Sequence, residues 1–110
     1  MPELAKKKCT PCEEKTGKLE TTEAKHLVEE LDRWKIVEDK HIEKTLQFKD
    51  FASALAFINK VGDVAEQENH HPDISLFNWN KVKFVLSTHS IGGLSENDFI
   101  MAAKIDEIAR

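Results

Sequence analysis

Two hydrophobic periods alternate along this chain and predict an α+β domain. Its expected form is a four-stranded antiparallel sheet with three helices on one face, in the order α-β-β-α-β-β-α. Three observations carry the expectation. Apolar residues recur at helical spacing in three separated segments. Four short runs between them alternate with a period of two. The strands come in pairs joined by short turns, which only antiparallel neighbours allow. Helices on one face make a two-layer domain. The other face of such a sheet is left for solvent or a second subunit.

The elements follow in order. Residues 1–20 read as an extended or partly disordered arm, with Pro2, Pro11, Gly17 and the run Lys6-Lys7-Lys8. The domain proper is expected over 21–110. Ala24, Leu27, Val28 and Leu31 form one helical stripe, with Thr21 or Thr22 as cap and Glu23 at the positive end of the dipole. Trp34, Ile36 and Val37 begin a short strand, and Glu38-Asp39-Lys40 is a turn. Ile42, Lys44, Leu46 and Phe48 then alternate with His41, Glu43, Thr45 and Gln47.

Asp50 is a suitable N-cap for a second helix. Phe51, Leu55, Ile58 and Ala65 are expected on its buried stripe, beside Ala54, Val61 and Gly62. That helix should end near Asn69, because Pro72 cannot continue it and biases His71 away from helical geometry. Ile74–Trp79 and Lys81–His89 read as strands, the second with Val82, Phe84 and Leu86 facing one way. Gly92-Gly93 marks a turn. Ser95 caps the last helix with Asp98 at its third position, a variant of the capping box. Phe99, Ala102, Ala103 and Ile105 supply its buried stripe.

Composition narrows the function classes. The 110 residues are 40% apolar and 33% charged, enough for one modest core. Twenty Asp and Glu against sixteen Lys and Arg give a net charge of -4, which disfavours direct binding to nucleic acid or anionic lipid. The longest apolar runs, such as Ala54–Ile58, fall far short of the roughly 18 residues of a membrane span. No secretory signal pattern opens the chain, so a soluble cytoplasmic protein is expected. Cys9 and Cys12 are the two cysteines. They are too few for a disulfide framework or a four-ligand zinc site, and no strand precedes their C-x-x-C, so an incidental exposed pair is the plainer reading.

The histidines are placed less ordinarily. His70 and His71 are adjacent at the expected end of the second helix, with Glu66 four residues before His70. His89 ends the last strand and points away from Val82, Phe84 and Leu86 by alternation. Asp98 opens the final helix. A helix end, a strand end and a helix start can thus converge on one pocket. Imidazole titrates near neutrality, and several in one pocket separate each other's pKa values, which yields an acid and a base in one site. A single helix-end histidine is more often only a cap; the pair before a proline, with a third on a strand, keeps a catalytic or ligand role open. A zinc site from His70, His71, His89, Glu66 and Asp98 is the chemical rival, against which stands the lack of an H-E-x-x-H helix. Phe77 and Trp79 share a strand face, with core or interface packing as the default and stacking of a flat substrate on Trp79 as the secondary reading.

Glu66-x-x-x-His70-His71-Pro72, followed by Trp79, His89 and Asp98, resembles the signature of the pterin-4a-carbinolamine dehydratases. The likeness extends to Ser87-Thr88-His89, Gly92-Gly93-Leu94-Ser95 and Ala102-Ala103-Lys104-Ile105-Asp106. Upstream it takes in Trp34, Ile42-Glu43-Lys44 and Phe48-Lys49-Asp50-Phe51, so it covers roughly residues 17–109. It implies the same α+β fold, a homodimer or homotetramer, and neither metal nor organic cofactor. The reaction implied is dehydration of 4a-hydroxytetrahydropterin to quinonoid dihydropterin and water, recycling the pterin of aromatic amino-acid hydroxylases. Carried over residue by residue, His70 and His89 are the expected acid and base. His71 would position the substrate, and Glu66 and Asp98 would orient the imidazoles. The backbone of Ser87 and Thr88 would meet the pterin's amide edge. Two other functions stand beside this one: a dimerisation cofactor for a transcription factor, and a metal-dependent hydrolase using the same histidines.

Overall fold

A computed structural model of the protein describes residues 19–38, 40–88 and 92–109. The arm before Leu19, with Cys9 and Cys12, and His89 lie outside the described residues. The observed order is α1 (Thr21–Glu29), β1 (Lys35–Val37), β2 (His41–Gln47), α2 (Phe51–Glu68), β3 (Asp73–Phe77), β4 (Lys81–Leu86) and α3 (Glu96–Ala109). The strands form one antiparallel sheet ordered β1-β2-β4-β3. The expected architecture is therefore the observed one.

Alternation decides which sheet face is covered. Ile42, Lys44, Val82, Phe84 and Leu86 point inward and are buried, while Glu43, Thr45, Lys81, Lys83 and Val85 face outward. The inner residues pack with Ala24, Leu31 and Trp34, with α2, and with Phe99, Ile100, Met101, Ala102, Ala103 and Ile105 of α3 in one core. Lys44 sits on the apolar face because its Nζ reaches the carboxylate of buried Asp106 at 2.8 Å. The same carboxylate accepts from the Trp34 indole and the Asp32 amide, each at 3.0 Å.

The caps differ in detail from expectation. Glu20, not Thr21 or Thr22, precedes α1, and its amide donates to the Glu23 carboxylate at 3.2 Å. Asp50 caps α2 as expected, accepting from the Ser53 amide at 2.7 Å. That helix stops where Asn69 turns left-handed, with φ of 53°.

Two expectations about packing are corrected. The buried stripe of α2 is Ala54, Phe57, Val61 and Ala65, whereas Phe51 and Leu55 are 49% and 41% exposed. The large apolar residues of the helix span about half its circumference, from Val64 and Phe57 round to Phe51 and Leu55, so spacing alone leaves open which part of that arc is buried. Phe57 settles it by packing against Phe48 and Phe84, tilted to the first and edge-on to the second, with ring centroids 5.1 and 5.7 Å away. The strand expected to reach Trp79 ends at Phe77. Asn78 and Trp79 both take positive φ, 47° and 57°, in the turn to β4. Trp79 is therefore exposed at a hairpin tip instead of packed beside Phe77 on a strand face. The following strand stops at Leu86, and Thr88 is held past its end by a bridge to Gly93.

Candidate active site

The site grows from the start of α3. Ser95 precedes the helix, and Asp98 bends back so that its Oδ2 accepts the Ser95 amide at 3.0 Å. This is half of the expected capping box. The Asp98 amide donates to the Ser95 carbonyl oxygen at 3.1 Å. The Ser95 hydroxyl lies 2.8 Å from the hydroxyl of Thr88. Thr88 is fixed in turn by its amide, which donates to Gly93 at 2.8 Å. Its own hydroxyl donates to Asp98 Oδ2 at 2.9 Å.

The remaining oxygen, Asp98 Oδ1, meets Nε2 of His70 at 2.7 Å. Asp98 is fully buried, and the His70 side chain is only 12% exposed. Asn69 makes this meeting possible. Its left-handed turn lifts the chain off the α2 axis while the His70 amide still donates to the Ala65 carbonyl at 3.2 Å. A carboxylate accepts and does not donate, so the proton on this edge belongs to Nε2. Nδ1 is then the nitrogen that can accept a proton from neutral imidazole or donate one from imidazolium.

The same turn undoes the expected pairing of Glu66 with His70. A four-residue spacing aligns side chains only while the helix continues, and α2 ends at Glu68. Glu66 pairs with Nε2 of His71 instead, at the surface, where both side chains are more than half exposed. The two adjacent histidines thus have different carboxylate partners and different solvent access. Among the described residues no three His, Cys, Asp or Glu side chains are placed to hold a metal ion.

A groove of about 430 Å³ adjoins the dyad through Thr88. Lys40, His41, Asp73, Val85, Ser87, Gly92 and Gly93 complete its described lining. Pro72 has no amide to extend the β3 ladder, and pairing of β4 with β3 stops at Val85 and Asp73. Ser87 lies beyond that last pair. On one wall His41 Nε2 is 3.1 Å from Glu43. This hydrogen bond, with Lys83 and Lys35 nearby, holds the Glu43 carboxyl below its usual range despite some desolvation. A larger depression of about 610 Å³, between α1 and the start of α3, contains none of the expected site residues.

The geometry gathers His70, Asp98 and Thr88, places Ser87 on the adjoining groove, and leaves Glu66 with His71 at the surface. Trp79 is not gathered. It lies at the opposite end of β4, whose six residues span about 20 Å. Within one chain Trp79 therefore stands apart from the His70–Asp98 contact.

A family model described as pterin 4 alpha carbinolamine dehydratase matches residues 17–108. This chain belongs to that family. It is a family of dehydratases, enzymes of the hydro-lyase class. A protein of Alkaliphilus metalliredigens bearing the name "putative pterin-4-alpha-carbinolamine dehydratase" is 47% identical over 108 residues, covering 97% of this chain and 96% of that one. The mitochondrial pterin-4-alpha-carbinolamine dehydratase 2 of Arabidopsis thaliana is 42% identical, and the match covers 96% of this chain and 59% of that protein. Among solved structures, a transcriptional coactivator/pterin dehydratase from Brucella melitensis superposes with a TM-score of 0.81 at 34% identity. That match covers 86% of this chain and all of the other.

Sequence reasoning missed three features of this family member. The hydroxyls of Thr88 and Ser95 were not expected to meet. Phe57 was absent from the expected core stripe. The Lys44–Asp106 pair went unseen, although a lysine in an inward-facing alternation slot is itself a signal that an acid must be waiting inside.

Proposed function

We propose that this chain dehydrates 4a-hydroxytetrahydropterin to quinonoid dihydropterin, with His70 moving the proton through Nδ1. The observation that carries the proposal is the buried His70–Asp98 contact beside a groove lined by Ser87 and Thr88. In the reaction the C4a–O bond breaks and the N5 electron pair forms the C4a=N5 bond. The departing oxygen takes one proton from an acid, and N5 gives one proton to a base, so one water leaves overall. Hydroxide is a poor leaving group, and general acid–base help of this kind typically supplies ~10²–10⁴-fold.

In this reading His70 is one of the two proton carriers and His89, on the sequence signature, is the other. Asp98 orients the His70 ring and stabilises its imidazolium. Glu66 holds His71, which positions the pterin, and Ser87 and Thr88 meet the pterin's amide edge. No metal or organic cofactor enters the mechanism. The product feeds back to pterin-dependent aromatic hydroxylation. Self-association into dimers or tetramers fits the exposed Phe51 and Leu55 on α2 and the open sheet face. A second reading, as an interaction module, has in its favour the words "transcriptional coactivator" in the description of the Brucella protein.

Stopped-flow absorbance of carbinolamine decay, with and without the protein, tests the proposal. His70→Ala is expected to slow the catalysed step by roughly 10²–10⁴-fold. An undiminished rate in the folded variant refutes the assignment.

A further inference from the structure

We propose that Ser95 and Thr88 are positioning residues, forming a directed hydroxyl chain that locks Asp98 and so holds His70 in a single tautomer. The inference rests on the reading of His70 as a proton carrier; it adds Ser95 and gives the Thr88 hydroxyl a role beside that residue's contact with the pterin.

The direction of the chain follows from counting protons. A threonine hydroxyl has one hydrogen. In Thr88 it is directed to Asp98 Oδ2 at 2.9 Å. The 2.8 Å contact between the two hydroxyls therefore has Ser95 as donor and Thr88 as acceptor. Oδ2 also takes the Ser95 amide. Two donors occupy that oxygen, and Oδ1 is left facing Nε2 of His70. Asp98 cannot rotate without breaking two bonds at once.

Burial argues that the hydroxyls are there for this purpose. Thr88 is 4% exposed and Ser95 5%. Valine has nearly the shape of threonine, and a buried hydroxyl is unfavourable unless it is hydrogen-bonded. The Asp98 amide, one of the donors that an N-cap hydroxyl ordinarily takes, is satisfied by the Ser95 carbonyl oxygen. What the hydroxyls do supply is polarisation along a chain in a low-dielectric pocket, where each bond strengthens the next. Because Ser95 is not part of the described groove lining, its effect on His70 is transmitted through Thr88 and Asp98.

The test reads the imidazole directly. Long-range ¹H–¹⁵N correlation spectra of His70 are recorded on ligand-free protein for the native chain, Thr88→Val, Thr88→Ser and Ser95→Ala. The native chain is expected to show the Nε2–H tautomer. Thr88→Val is expected to show a tautomer mixture and a kcat lower by roughly 10–100-fold, the scale of one hydrogen bond to a charged group. Thr88→Ser should restore both. Ser95→Ala should show a smaller shift in the same direction, with KM changed by less than kcat. If Thr88→Val does not fold, Ser95→Ala against the native chain decides. A native-like His70 spectrum in a folded Thr88→Val or Ser95→Ala protein overturns the inference. Absence of dehydratase activity in the native chain would instead sink the proposed function, and the spectra would still report on the positioning chain.

Discussion

Helix α3 carries two buried carboxylates, Asp98 in its first turn and Asp106 eight residues later. Each accepts from three donors. For Asp106 they are the Lys44 ammonium, the Trp34 indole and the Asp32 amide. For Asp98 they are His70, the Thr88 hydroxyl and the Ser95 amide. The acceptors are chemically the same, so the difference lies in what donates. Through its three donors Asp106 joins β2, the 31–34 loop and α3 in a fixed arrangement. An imidazole can release its proton near neutrality. The same construction with histidine in place of lysine becomes a site that can exchange protons.

This contrast predicts opposite phenotypes. Asp98→Asn turns an amide N–H or a weaker acceptor toward His70 and removes control of its tautomer. It should reduce turnover by roughly 10²–10⁴-fold, with an unfolding cost of only about 1–3 kcal/mol. Asp106→Asn leaves the Lys44 ammonium buried with only Asp32, 3.6 Å away and largely exposed. It should cost about 3–5 kcal/mol of stability while the folded fraction keeps near-native kcat. Urea unfolding and stopped-flow kinetics on both variants check this. Equal losses of activity per folded molecule would break the distinction.

A smaller effect sharpens it. If Asp106 is structural, the Lys44–Asp106 pair is replaceable by a well-packed apolar one. Lys44→Met with Asp106→Leu removes the buried charge but leaves the Trp34 indole and the Asp32 amide without their acceptor, so it should recover part of the stability that Asp106→Leu alone loses, as read from a double-mutant cycle by urea unfolding. No rescue at all would mean that the unpaired Lys44 ammonium is not what destabilises the Asp106 variant. Trp34→Phe removes one of the three donors to Asp106 and should cost about 1 kcal/mol, visible as a lowered urea midpoint.

The sequence exposed these two places unequally. His70 and Asp98 were legible because each sits at a helix end where capping rules fix its type and direction. Lys44, Trp34 and Asp106 were each noticed, but their meeting spans 62 and 72 residues of chain, and no local period encodes a contact that distant. Glu66 was assigned to His70 because helical spacing was carried past the point where Asn69 reverses the backbone. The rotation of α2 was hidden because its apolar arc is wider than the face it buries. Periodicity thus identifies elements and their capping acids; which buried donor meets which acid is decided by packing.

A third carboxylate, Asp50 at the start of α2, marks the exposed limit of the comparison. Its bonds from Ser53 hold its pKa below the ordinary aspartate value of 3.8, with Lys49 adding to the shift. A depressed folded-state pKa means that the charge stabilises the fold fully above the unfolded value and is lost as pH falls through the folded one. Asparagine caps a helix about as well as aspartate but has no proton to gain. The Tm advantage of the native chain over Asp50→Asn should therefore be small at pH 7 and shrink as the pH drops below 3.8. Thermal melts between pH 7 and pH 2.5 read the difference. A gap that stays constant with pH would show that the charge of Asp50 contributes nothing beyond its oxygen, and that charge matters in this fold only where water is excluded.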